Sequence, residues 1–169
     1  MPNSLNKNIE NNKGAIHMTM YERLMIENSH IPISDGFKLR GGFKGIYANG
    51  AILIDKDMTS YHKHEVLAEE IAHYKISYGN ILDQSDMLNK KLEIKARRLA
   101  YESVITLQGL IDAFKYGVQN LHEMAIFFEV SKSFVEETLD YYKIKYGLGV
   151  QHGDYLISFE PLTIYKDLE

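Results

Sequence analysis

HKHEVLAEEIAHYKISY, residues 62–78, is the stretch on which the reading of the chain turns. Glu69-Glu70-Ile71-Ala72-His73 lies at its centre. On an α-helix, positions i and i+4 lie within about 40° of each other. Glu69 and His73 therefore project from one face, one turn apart. A carboxylate oxygen and an imidazole nitrogen placed that way can share one cation. A second stripe, Leu67, Ile71, Tyr74 and Tyr78, marks an amphipathic core face. The Glu69/His73 side carries Ala68, Ala72 and Ile76 rather than mixed charges. A helix apolar on both sides is predicted to lie buried between layers. Unpaired charge is costly there, so the carboxylate and the histidine need a partner, and a metal ion is one.

E-E-x-x-H is a variant of H-E-x-x-H, with glutamate in place of the first histidine. In that motif the glutamate is the general base beside a metal held by the two histidines, and Glu70 occupies its position. The same letters also occur on charged surface helices that hold nothing, so a third ligand must decide. His62 and His64 do not supply it. His64 points about 180° away from His73, and His62 is roughly 16 Å distant along the helix. Both are read as surface histidines.

The chain has 169 residues, 45% of them hydrophobic, enough for one compact domain or a domain with a small appendage. Its net charge of −4 argues against a general phosphate-binding surface. It contains no cysteine, so any metal must be held by His, Asp or Glu. No apolar run approaches the ~20 residues of a membrane span, and no signal-peptide core is seen. A soluble, cytoplasmic protein with no membrane partner is expected.

Residues 1–18 are rich in Asn and Lys and read as a flexible tail, with Met18 and Met20 as alternative starts. Residues 19–29 read as a helix capped by Thr19, with Tyr21, Leu24 and Met25 on one stripe and Pro32 ending it. Asp35-Gly36 reads as a turn. Asn49-Gly50, between Ile46-Tyr47 and Ala51–Ile54, is a hairpin signal. Gly41, Gly42 and Gly45 are expected to loosen or bulge its first strand. An edge strand of this small antiparallel sheet could take up an extended peptide, or the hairpin could be structural only.

Gly79-Asn80 breaks the central helix, and Asp83–Asp86 forms a polar turn and cap. A long helix over about 86–107 follows. Leu88, Leu92, Leu99, Ser103 and Thr106 share one face; Glu93, Ala96, Arg97, Ala100 and Val104 share another. The alanines permit close approach to a neighbouring helix. If that neighbour is the central helix, Glu93 is placed as third ligand, and Glu69, His73 and Glu93 leave a position open for water. The alternative is an exposed Glu93–Arg97 pair at i, i+4.

LAEEIAHY (67–74), GNILDQSD (79–86) and LEIKARRLAYE (92–102) resemble the ImmA/IrrE family of metallopeptidases, in its branch from phages and mobile elements of Gram-positive bacteria. The likeness extends over most of residues 20–163. It implies an α+β fold, a minimal zincin-like domain of a few helices around a small antiparallel sheet. It also implies cleavage of a transcriptional repressor. Glu70 matches the catalytic glutamate and His73 the second histidine. Glu69 stands where most of the family has histidine. The family's third ligand is a glutamate directly before an alanine. That alanine resembles Ala96, but Lys95 precedes it, so Glu93 is the nearest suitable carboxylate. A ligand set of two carboxylates and one imidazole is harder than the usual one, so Mn²⁺ joins Zn²⁺ as a candidate.

Residues 104–116 continue or restart a helix. Asn120–Val130, a turn at Ser131–Ser133, and Phe134–Tyr146 resemble a helix-turn-helix. Gly147–Asp154 reads as a turn leading to a strand, Tyr155–Phe159, that could act as a wing. Glu136, Glu137 and Asp140 sit where DNA binding needs positive charge, so contact with nucleic acid is expected to be weak. The division expected is a tail (1–18), a metallopeptidase domain (19–117) and a helix-turn-helix-like region with a β-hairpin (118–169). Three functions follow: a metal-dependent endopeptidase acting on a repressor, an inactive relative that displaces a repressor without cleavage, or a DNA-binding regulator. The oligomeric state is not readable from these residues.

Overall fold

The computed structural model describes residues 18–77 and 86–166, with the side chains of 77 and 86–89 left aside. Residues 1–17 of the tail, the break at Gly79-Asn80, most of the turn before Asp86, and Tyr78 lie outside these residues.

The chain opens with helix α1, Met20–Glu27. Thr19 accepts from the Glu22 N–H while the Glu22 side chain reaches back to the Thr19 N–H, a capping box. Tyr21 is buried, with Leu24 and Met25 beside it. The helix stops earlier than Pro32. Asn28 is its C-cap, and the Asn28 amide donates to the Leu24 carbonyl at 2.9 Å.

Strands β1 (Ile33–Phe37), β2 (Gly45–Ala48) and β3 (Ala51–Asp55) form a three-stranded sheet in the order β1-β3-β2. The β2–β3 hairpin is antiparallel as expected, and Asn49 (φ 52°) and Gly50 (φ 78°) supply its left-handed turn. β1 adds a parallel strand on the other side of β3. Asp35-Gly36, read as a turn, therefore lies inside β1. The register shifts between Ser34 and Phe37, so these residues form an irregularity in a strand, with Asp35 held by Lys63 at 2.8 Å.

Helix α2 spans Ser60–Ser77. Leu67 and Ile71 pack with Tyr21, Ile31, Ile52 and Ile54 into one apolar cluster between sheet and helix. On the opposite side lies α3, Asp86–Val104, whose Ala96 and Ala100 are fully buried. Small side chains let the two backbones approach, which is why the alanine face, and not the Leu92/Leu99 face, is the packed one. Leu99 remains 36% exposed. Thr106 does not belong to this helix. It is the N-cap of α4, Leu107–Tyr116, and accepts from the Gly109 N–H.

Helices α5 (Leu121–Phe128) and α6 (Lys132–Tyr146) follow, joined by a short link in which Glu129 adopts φ 51°. Strands β4 (Gly149–His152), β5 (Tyr155–Phe159) and β6 (Leu162–Lys166) form an antiparallel meander. The turn expected over Gly147–Asp154 thus contains a strand, β4, which pairs with β5 residue for residue. A second apolar cluster fills this half, built on Leu110, Phe128, Val135, Tyr142, Ile157 and Phe159. It also takes in Tyr101 and Ile105, which precede residue 117. The architecture is α+β, a compact zincin-like arrangement followed by helices and a terminal sheet. Among the described residues, no helix is long and apolar enough to cross a membrane.

Candidate metal centre

Glu69 and His73 leave α2 from the same face, and Glu93 comes from α3, which packs along it. One ligand atom from each lies within 4.8 Å of the others. His73 Nε2 and Glu93 Oε2 are 3.5 Å apart. The His73 side chain is 18% exposed and the Glu93 side chain 64%, so the cluster is open on the α3 side. The donor set suits a divalent cation. Two carboxylates and one imidazole converge from two helices, and their separation leaves room for an ion to draw them together.

Arg97 does not pair with Glu93. Its Nη2 stands 3.6 Å from Glu69 Oε1, so the guanidinium reaches back to α2. Glu69 and Arg97 also line a cleft of about 170 Å³ with Glu65, Tyr101 and Glu137. The Tyr101 hydroxyl donates to Glu137 at 2.6 Å, which ties this cleft to α6.

Glu70 lies one position further along α2, turned toward the sheet. Burial first, and then the charges of Glu69 and Glu93, push its carboxyl up to about 7, while the Tyr47 N–H hydrogen-bonds the charged form and opposes the rise. The register explains that contact. The Asp55 N–H donates to the Lys44 carbonyl at 2.9 Å, so by the antiparallel alternation Ile46 and Ala48 hydrogen-bond with β3 while the main-chain groups of Gly45 and Tyr47 point away from it. Gly45 does not loosen the strand. A Cβ there would stand 2.5 Å from Val66 Cγ1 and 2.8 Å from Glu70 Cγ, so glycine is what lets β2 lie against α2.

His62 is exposed, as expected for a surface histidine. His64 is not; it is 6% exposed, and its Nδ1–H donates to the Glu129 carbonyl at 3.1 Å. It faces the α5–α6 link, which covers it. Sequence reasoning could not find Arg97 as a partner of Glu69, nor the Tyr47 main chain as a partner of Glu70. Both depend on which helix and which strand edge meet α2.

The fold and this cluster define a metallopeptidase-type domain: an E-E-x-x-H helix between an edge strand and a helix that brings a further carboxylate. The chain belongs to the peptidase M78 family, whose model, the IrrE N-terminal-like domain, matches residues 19–140. The match takes in α1 through most of α6 and so includes every residue of the cluster. No curated protein matches the chain.

Proposed function

We propose that this protein is a metal-dependent endopeptidase that cleaves a transcriptional repressor of a phage or mobile element and thereby relieves repression. The observation that carries the reading is the convergence of Glu69, His73 and Glu93 within 4.8 Å, with Glu70 desolvated beside them. These three residues would hold Zn²⁺ or Mn²⁺, which when bound supplies Lewis-acid activation of a water and of the scissile carbonyl. Glu70 takes the proton of the attacking water and delivers it to the leaving amide nitrogen as the C–N bond breaks. Its partly buried carboxyl suits both steps, because it can hold and release a proton near neutral pH. The free edge of β2 runs beside Glu70, and an extended substrate segment adding there as a strand is held by main-chain hydrogen bonds. The substrate is a protein, and the site works in the cytoplasm, where the repressor is.

The test is co-expression with the repressor encoded beside the gene, read on a gel. Wild type is expected to cut it, and Glu70→Gln to bind metal and fold normally while leaving it whole, a loss of roughly 10² to 10⁴ in rate. If wild type and Glu70→Gln relieve repression equally and neither cuts, the protein acts by binding alone.

A further inference from the structure

An apolar concavity lies apart from the metal cluster. It is a groove of about 630 Å³ between α4, the flank of α6 and the β5–β6 turn. Leu110, Leu139, Phe159 and Leu162 line its floor. Phe114, 47% exposed, stands at its mouth. Glu136, Asp140 and Glu160 line it as well, against a single lysine, Lys143. In a helix-turn-helix with a wing, the space between second helix and wing faces nucleic acid. Here that space is apolar at the base and acidic at the edge, which repels phosphate and suits the opposite charge.

We infer that this groove is a docking surface for a basic amphipathic helix of the protein partner. Charge complementarity selects that occupant. Apolar side chains on one face of the incoming helix would cover the floor, and flanking Lys or Arg residues would meet Glu136, Asp140 and Glu160. Glu136 and Asp140 are already near lysines of their own helix, Lys132 at 3.7 Å and Lys143 at 3.3 Å. These are exposed pairs one turn apart, worth little and readily exchanged for a partner's cation. The identity of the partner rests on the proposed function: the helix with which a repressor contacts DNA is basic because it faces phosphates. Docking it here would mask the repressor's DNA-binding face.

The probe is a synthetic helical peptide with leucines on one face and lysines on its flanks, titrated into the full-length protein. Saturable binding at one site is expected, with amide shifts confined to the groove. Glu136→Lys combined with Asp140→Lys is expected to weaken it at least about tenfold. Phe114→Ser should weaken it similarly, and a peptide with glutamate in place of lysine should not bind. All three side chains are exposed, so thermal melts of the variants should match wild type; Glu160→Lys on the turn serves as an independent charge reversal. Glu70→Gln protein should bind the peptide like wild type, which separates this surface from the peptidase reading. Affinity unchanged by both charge reversals, shifts centred on α2 and β2, or a dimer that buries the groove in a second copy would each overturn the proposal.

Discussion

The Arg97 guanidinium lies 3.6 Å from the Glu69 carboxylate, so the one residue that departs from the H-E-x-x-H pattern is met by a positive charge from α3. A histidine at position 69 would have no use for that charge; a carboxylate beside Glu70 and Glu93 does. Removing Arg97 takes away the cation beside Glu69. Arg97→Met should lower stability at neutral pH by only about 0.5 kcal/mol, because the Arg97 side chain is 58% exposed and the pair is screened. Saturating Zn²⁺ or Mn²⁺ should then raise the melting temperature of Arg97→Met by more than that of wild type. A smaller rise in the variant would mean that Arg97 orders Glu69 for the metal rather than standing in for it.

His73→Ala and Glu93→Gln probe the ligand set directly. His73→Ala removes the only imidazole of the cluster and should abolish stoichiometric metal in protein purified without added metal. Glu93→Gln should weaken affinity at least about tenfold, or 1.4 kcal/mol. Isothermal titration with Zn²⁺ and Mn²⁺ gives both values, and equal affinity in Glu93→Gln and wild type would remove Glu93 from the set.

Gly45→Ala tests the approach of β2 to α2. The added methyl would stand 2.5 Å from Val66 and 2.8 Å from Glu70, so strand or helix must shift. A cost of roughly 1–3 kcal/mol is expected in denaturant unfolding. Peptide cleavage should fall further than that loss explains, since Tyr47 would no longer meet Glu70. Gly50→Ala is the control. It carries the strain of a left-handed turn (φ 78°) but meets no side chain near the cluster.

Acid sensitivity should come in two windows. Burial lowers the His64 pKa, against the carbonyls of Glu129 and Phe128 and the charges of Glu129 and Glu65, which favour the proton. The folded protein therefore holds His64 neutral and binds fewer protons than the unfolded chain. Its contribution is complete above about pH 6.5 and is lost as pH falls below that value toward the lowered pKa of the folded state. Asp35, lowered chiefly by its hydrogen bond from Lys63, loses its contribution only below the ordinary Asp range near pH 4. Unfolding measured between pH 7 and 5 should flatten in His64→Gln, and a profile unchanged by that substitution would show that His64 titrates normally.

Binding to duplex DNA should be weak and indifferent to sequence. The lysines of α6, which would have to contact phosphates, all face carboxylates: Lys132 to Glu136 at 3.7 Å, Lys143 to Asp140 at 3.3 Å, and Lys145 to Glu102 at 2.6 Å. Nanomolar affinity for one operator-like sequence at physiological salt, with scrambled DNA far weaker, would contradict this.

What could be read from the sequence was local or periodic. The Thr19 cap, the Asn49-Gly50 turn and the Ala96/Ala100 face each announce themselves within a few residues. The proximity of Glu93 to His73 followed from the alanine face, because one packed face fixes where its neighbours point. The rest depended on partners far along the chain. Nothing near Asp35-Gly36 signals a parallel strand, since its partner β3 lies beyond β2 in the chain. His64 reads as a surface residue until Glu129, distant in sequence, covers it. Arg97 has Glu93 in reach at i, i+4, and only the tertiary approach of α2 offers it Glu69 instead.

Glu129 is gripped twice. Its carboxylate accepts from the Met20 N–H at 2.8 Å, and its carbonyl accepts from His64 at 3.1 Å. Two residues on, the Ser131 N–H donates to Glu65. One short link is thus pinned to the start of α1 and to the first turns of α2. Mechanically it is a yoke. A pull on α5 or α6 is not absorbed in a slack connection but is borne at once by the helix that carries Glu69, Glu70 and His73. Exchanging the C-terminal half for that of a relative would succeed only if the graft brought its own acceptor for His64 and its own anchor for α1.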